Sequence, residues 1–315
     1  MILSLGLAAI LDFIFGDPWD WLHPVQVMGW VISPYRKFVF KFIQNSFLQT
    51  IAGIILTLLL LVGSGGAVWS LIGIAKFIHP WIGIAIESIL LASCFAAKSL
   101  RDAAEDVLEP LIKGDIEAAR SHLSRYVGRD TAQLNQSEIL RAVLETVSEN
   151  GVDGVMAPLF WSIVGCFTPF GPATFAMMYK AVSTMDSMIG YIAPPYTYLG
   201  WCGAKLDDIL TYIPCRLMVI TLGIVSRHPI ALWNQCRREG AQDPSPNSGW
   251  SECAYAVALG VQLGGLNTYG GVVKLKPILG IEHRSITPEI IRSALDLNRR
   301  CFLSWLLIAI GLLLI

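Results

Sequence analysis

Glu145, Glu149 and Asp153 stand four residues apart in the stretch ETVSENGVDGVMAPLF, residues 145–160. A helix running through them stacks three carboxylates along one face. Like charges at this spacing repel by roughly 0.2–0.5 kcal/mol per pair on an exposed helix, and by more near lipid. The arrangement persists most easily with something cationic against it, a metal or a basic ligand. The alternative is an ordinary acidic helix start, since Glu and Asp favour the positive end of the helix dipole. After Asp153 no formally charged residue occurs until Lys180, so the acidic run passes directly into apolar chain.

Other polar groups stand out against their surroundings. Asp17 and His23 lie in GDPWDWLHPVQVMGW, where Asp also opens turns and a lone His beside Trp21 also suits a membrane interface. Arg125, Arg129 and Asp130 flank a glycine; they suit a phosphate grip through bidentate donors and equally a solvated loop. Lys180, Asp186, Lys205, Asp207, Asp208 and Arg216 all sit among apolar residues. Such charges are costly near lipid and easier to explain around a polar ligand. The Asp207–Asp208 pair has the chemistry to hold Mg²⁺ through water, or to cap a helix N-terminus.

The elements that must position these groups are those of a membrane protein. Of 315 residues, 54% are hydrophobic and only 15% are charged, against about 25% charged in soluble domains. The net charge of -1 gives no reason to expect a nucleic-acid partner. Seven cysteines are scattered without CxxC or zinc spacing, as buried thiols in a reducing compartment would be. Met1 to Phe15 lacks a basic start and a cleavage site, so it reads as a short, half-inserted apolar helix rather than a signal peptide.

Thr50 to Ile72 reads as a full transmembrane helix, with Gly63, Gly65 and Gly66 suggesting close packing or a kink. Phe77 to Ala97 is a second candidate, interrupted by Glu87, which is either functional or simply paired. Residues 98–148 form a polar helical insertion broken at Gly114 and Asp115. Pro158, Pro169 and Pro172 predict a broken or re-entrant helix over Gly154 to Tyr179. Ile209 to Ser226 is a further span containing Arg216, Ser251-Glu252 looks like a helix start, and glycines make Ala254 to Val273 pocket-lining. Thr287-Pro288-Glu289 caps a helix within the amphipathic Lys274 to Arg300, and Phe302 to Ile315 is a short apolar helix. The expected fold is therefore all-α, a single polytopic membrane domain over 1–315. Arg36, Lys37, Lys41 and the basic residues of 98–148 put the insertion and the acidic centre at the cytoplasmic face.

Taken together, GDPxxxxHPV at 16–25, GRDT at 128–131, ETVSENGVDGVMAPLF at 145–160, YK…MDSMIGY at 179–191, LDD at 206–208 and SPNSG at 245–249 resemble the CobD/CbiB family, the adenosylcobinamide-phosphate synthases. The motifs run in the same order to about Gly280. Asp243 departs from the pattern, standing before PSPNSG where a histidine is more usual. The resemblance implies an inner-membrane ligase with its active site facing the cytoplasm. It would join adenosylcobyric acid to (R)-1-aminopropan-2-ol or its O-phosphate, using ATP and Mg²⁺. Its partners would be the corrinoid, the amine, the lipid bilayer and the later enzymes of nucleotide-loop assembly.

Chemistry then suggests roles. Asp153, Asp207 and Asp208, with Asp186 in reserve, suit Mg²⁺ and nucleotide, while Lys180, Arg129 and Lys205 neutralise phosphate. Glu145 or Glu149 is the general base, and Asn150 and Asn247 orient substrate amides. Asp17, His23 and Ser248, which lie in family motifs, complete the expected binding residues. The competing class is a non-catalytic corrinoid-binding membrane protein, a transporter or a scaffold; the many acids and bases in apolar surroundings favour the enzyme.

Overall fold

A computed structural model gives the fold and describes residues 1–16, 23–191 and 193–314. In chain order the helices are α1 (Ile2–Phe15), α2 (Pro24–Phe42), α3 (Ser46–Ile78), α4 (Pro80–Ala92), α5 (Ala97–Ile112), α6 (Ile116–Leu123) and α7 (Gln136–Asn150). A π-helical turn, Gly151–Met156, leads into α8 (Ala157–Cys166), α9 (Pro172–Ile189), α10 (Trp201–Val225), α11 (Pro229–Arg238) and α12 (Ser248–Leu259). A hairpin of β1 (Leu263–Tyr269) and β2 (Val272–Leu279) precedes α13 (Pro288–Leu314). Four stretches are long and apolar enough to cross a bilayer: α3, Pro80–Ile112, α10 and α13. The protein is a predominantly helical, polytopic membrane protein.

The chain divides into two compact units that interleave in sequence. The first comprises Met1–Lys98, Ala157–Thr211 and Leu306–Ile315; the second comprises Ser99–Met156 and Tyr212–Trp305. In the first unit α9 is central and packs on α2, α3, α4 and α8. Apolar helices gain little from burying apolar surface against one another in lipid, so close van der Waals contact must hold them. Gly53 and Gly65 of α3 provide it, while Ile55, Leu58, Leu59 and Val62 of the same helix are more than half exposed. A methyl group on Gly65 would lie 2.6 Å from Met178 Cγ, and one on Gly53 would lie 2.2 Å from the Leu199 carbonyl oxygen. The second clash is against backbone, which cannot rotate away. Gly53→Ala is expected to cost about 1–3 kcal/mol, read as a lowered melting temperature in detergent.

The α3 helix begins ahead of its expected start because Asn45 caps it, accepting the Leu48 N–H at 3.1 Å. Glu87 is paired: it is 2% exposed, accepts the Ser4 hydroxyl at 2.8 Å and lies 3.7 Å from Lys76 Nζ. The proline-rich segment is broken as expected. After α8 the chain turns through Gly171, whose φ of 86° suits glycine, and restarts at Pro172 in the first turn of α9.

In the second unit α12 is central, packed against α7, α11 and both strands. Gly114 ends α5, and Asp115 caps α6 by accepting the Ala118 N–H at 2.9 Å. A reciprocal capping box of Asn135 and Glu138 starts α7. Three expectations are corrected here. The α12 helix begins at Ser248, so Ser251 and Glu252 are not its start but lie in its buried body. Ala254 to Val273 is split where Gly260 takes a left-handed conformation and ends the helix. Beyond it, Gly270 and Gly271, both at positive φ, close a tight hairpin between Tyr269 and Val272. Finally, the polar and apolar segments after residue 287 are one continuous helix, α13.

Candidate functional site

Glu145 and Glu149 lie in the C-terminal half of α7, whose positive end is 135–138. The dipole therefore disfavours them, and they are not an ordinary acidic helix start. The π turn at Gly151–Met156 carries about one extra residue per turn, so Asp153 is displaced from the line of Glu145 and Glu149. The three carboxylates meet three different surroundings.

Glu145 is 1% exposed and fully engaged. One oxygen accepts Arg129 Nη2, which is nine-tenths buried; the other accepts the Gly264 N–H at 3.0 Å and lies 3.5 Å from Arg141 Nη1. Arg129 gives its second terminal nitrogen to Asn267 Oδ1 at 2.7 Å. Arg141 donates to the carbonyls of Gly264 and Leu266. A buried ion-pair network thus clamps α7 to the start of the hairpin.

Glu149 is different. Among the described residues its carboxylate accepts no hydrogen bond, and it is accessible to solvent while ringed by protein. The resulting desolvation pushes its carboxyl above the usual range; Lys276 opposes this, Asp243 and Glu145 add to it, and Arg129 opposes it. Asp153 is half-buried, and Asn150 is exposed with its amide on the Thr146 carbonyl at 2.9 Å.

Sequence reasoning missed the partner wall on α12 and β2. Glu252 is fully buried and accepts Lys276 Nζ at 2.9 Å. Burial pushes the Glu252 carboxyl up to about 8 against the pull of Lys276. Burial alone would lower Lys276, but Glu252, Glu149 and Glu145 outweigh it and raise that amine above its ordinary value. Glu252 and Lys276 are 24 positions apart, and no local spacing links them.

The SPNSG segment forms a tight cap on α12. Arg216 is stacked between Tyr212 and Trp250, 3.8 and 4.5 Å from their ring centres. Its guanidinium donates to Asn247 Oδ1 and to the Pro246 carbonyl, each at 2.7 Å. Ser248 reaches Asp243 Oδ1 at 3.4 Å. Lysine cannot reproduce this fork and stack. Arg216→Lys is expected to cost about 2 kcal/mol of stability, measured by thermal unfolding in detergent.

The remaining predicted residues belong to the first unit. His23 caps α2, its Nδ1 accepting the Val25 N–H at 3.2 Å. Lys180 and Asp186 are half-buried on α9, and among the described residues the Lys180 ammonium has no partner. Lys205 pairs with Asp208 at 3.2 Å on α10, next to half-buried Asp207. Asp17 lies outside the described residues. No group of three or more His, Cys, Asp or Glu side chains among the described residues is arranged to hold a metal ion. Asp153 belongs to the second unit, and Asp207 with Asp208 to the first.

The fold is that of a helical, polytopic membrane protein whose second unit contains a buried charged cluster. The CobD/CbiB protein family model matches residues 5–298, and the chain belongs to that family of cobalamin biosynthesis proteins. It is 46% identical over 314 residues to the cobalamin biosynthesis protein CobD of Synechocystis sp., covering 99% of this chain and 92% of the relative. It is 38% identical over 318 residues to CbiB of Salmonella typhimurium, covering 100% and 96% of the two chains. CobD of Geobacter metallireducens is 40% identical over 280 residues, covering 87% and 84%. No solved structure matches the chain.

Proposed function

We propose that this protein is an amide-forming ligase of cobalamin biosynthesis, joining adenosylcobyric acid to (R)-1-aminopropan-2-ol or its O-phosphate with ATP and Mg²⁺. The observation that carries the reading is Glu149, a solvent-accessible carboxylate with no hydrogen-bond partner among the described residues, whose carboxyl is pushed above the usual range. A carboxylate is a poor acyl donor, so the corrinoid acid must first take a phosphoryl or adenylyl group. The amine enters as an ammonium and must lose a proton before its nitrogen attacks; Glu149 accepts that proton. A base with a raised pKa lies nearer the working pH and transfers protons more efficiently.

Glu145 is saturated by Arg129, Arg141 and the Gly264 N–H, which suits a positioning role better than that of the base. Lys180, with no partner among the described residues, is the stronger candidate for phosphate, because Arg129 already commits both terminal nitrogens. Beside a nucleotide, Mg²⁺ takes one or two carboxylates together with water and phosphate, a demand that Asp153, or Asp207 with Asp208, can meet. When bound, the ion would neutralise charge on the phosphoryl oxygens. Asn150 and Ser248 suit the corrin's amides; Asn247 does so less well, its Oδ1 already holding Arg216. The Lys and Arg distribution favours an active site facing the cytoplasm.

Labelling the reacting carboxylate of the corrinoid with ¹⁸O tests the activation step. Half of the label is expected in released phosphate or AMP and half in the amide carbonyl. Label retained only in corrinoid species and water would contradict it.

A further inference from the structure

The most basic corner of the first unit is the turn joining α2 to α3. Between Asp20 and Glu87 the sequence carries Arg36, Lys37, Lys41 and Lys76 and no acidic residue. Lys76 lies in the last turn of α3, so the other three gather where α2 stops at Phe42 and α3 starts at Ser46. The α3 helix is long and apolar enough to span a bilayer, so its first turn marks a membrane boundary. Lys41 sits at that boundary, and Arg36 lies roughly 9 Å back along α2 from its end.

Three ridges run along the last two turns of α2, because residues four apart share a helix face. Arg36 and Phe40 form the first, and both meet Tyr196. Arg36 Nη1 donates to the Tyr196 hydroxyl at 3.0 Å, and the guanidinium carbon lies 5.7 Å from the ring centre. Phe40 packs edge-on against the same ring, with centres 5.7 Å apart. Lys37 and Lys41 form the second ridge and are exposed. Phe38 and Phe42 form the third; their ring centres are 5.0 Å apart, and both side chains are more than half exposed. All of these residues belong to the first unit.

Arg36 is thus half-buried and held in place by an aromatic frame. Among the described residues neither it nor Lys37 nor Lys41 pairs with a carboxylate. A partly desolvated charge without a counter-charge is costly, and the planar guanidinium fork matches phosphate oxygens. A soluble anion would engage the cations and leave the phenylalanine ridge bare. An amphiphile with an anionic head and apolar tails covers both. The Lys and Arg distribution favours the cytoplasmic leaflet for this end, where anionic headgroups attract such residues.

We propose that Arg36, Lys37 and Lys41, with the ridge of Phe38 and Phe42, form a binding site for an anionic phospholipid. Its phosphate takes the Arg36 fork and the two lysines, and its acyl chains lie along the phenylalanines.

The test is native mass spectrometry of the detergent-solubilised full chain titrated with phosphatidylglycerol. Phosphatidylcholine is the zwitterionic control, and glycerol 3-phosphate is the anion without chains. The native protein should bind phosphatidylglycerol at least about tenfold more tightly than phosphatidylcholine, and should not retain glycerol 3-phosphate at the same concentration. Arg36→Gln, and separately Lys37→Gln with Lys41→Gln, should each lower phosphatidylglycerol affinity at least about fivefold and leave phosphatidylcholine binding unchanged. Both lysines are exposed, so their double variant should keep the native melting temperature and reads the site even if Arg36→Gln fails to fold.

Equal affinity of the native protein for the two lipids would overturn the proposal. So would phosphatidylglycerol binding within about twofold of native in either folded variant. Glycerol 3-phosphate held as tightly as the lipid would also overturn it, making this a site for soluble phosphate.

Discussion

Glu149→Gln is expected to abolish turnover and to leave the protein at least as stable as before. The first half follows from the role of base: removing a positioned proton acceptor costs about 10²–10⁴-fold in rate. The second half follows from the direction of its pKa shift. The Glu149 carboxyl titrates higher in the folded protein than a free glutamate, chiefly through desolvation, so folding favours its protonated form. The stability this gives is fully present below the ordinary carboxylate range and is lost as pH rises through the folded value. At neutral pH the ionised group weighs against the fold, and the uncharged amide does not. Because Glu149 accepts no protein hydrogen bond among the described residues, the substitution removes no such contact. Melting temperatures at pH 8 should be equal or higher in the variant, with the difference shrinking towards pH 4.5. A variant that is both inactive and markedly destabilised would instead make Glu149 a structural residue.

Arg129→Ala should give the largest loss of stability. It leaves Glu145, 1% exposed, without its closest cation and strands Asn267 Oδ1, which Arg129 satisfies at 2.7 Å. Breaking a buried pair on one side costs about 3–5 kcal/mol, because the remaining charge stays buried. Arg141, at 3.5 Å, offsets part of this, so the lower end applies. Replacing both partners, as Arg129→Met with Glu145→Leu, should recover part of the loss, because Arg141, still held by the Gly264 and Leu266 carbonyls, is then the one charge left without its carboxylate. Unfolding half-lives in detergent at one fixed temperature would measure all three proteins. Recovery in the double variant identifies the pair as the cause.

Local signals were legible in the sequence because they act over a few residues. Gly114 with Asp115, and Pro169 with Pro172, each marked a break that the fold contains. The spacing of Glu145 and Glu149 placed them on one helix face. The spacing did not reveal that one would be saturated and the other bare, since Arg129 and the Gly264 N–H reach Glu145 from 16 and 119 positions away. Glu252 read as part of a helix start because nothing beside it in sequence announces Lys276. The hairpin carried a signal that was overlooked: Gly270-Gly271 between Leu-Asn-Thr-Tyr and Val-Val-Lys-Leu is a two-residue turn between strand-forming runs. The π turn had no comparable signal; a side chain at Gly151 would run into Asn298 and the Tyr255 hydroxyl, both distant in sequence.

The most direct test of the central claim is a single-turnover reaction of detergent-purified protein. It contains adenosylcobyric acid, ATP and Mg²⁺, with 1-aminopropan-2-ol in one arm and its O-phosphate in the other, read by mass spectrometry. The ligase account predicts a corrinoid whose mass rises by that of the amine minus water, in at least one arm and only when ATP is present. Tight corrinoid binding with no new mass in either arm would contradict it and make this a corrinoid-binding membrane protein.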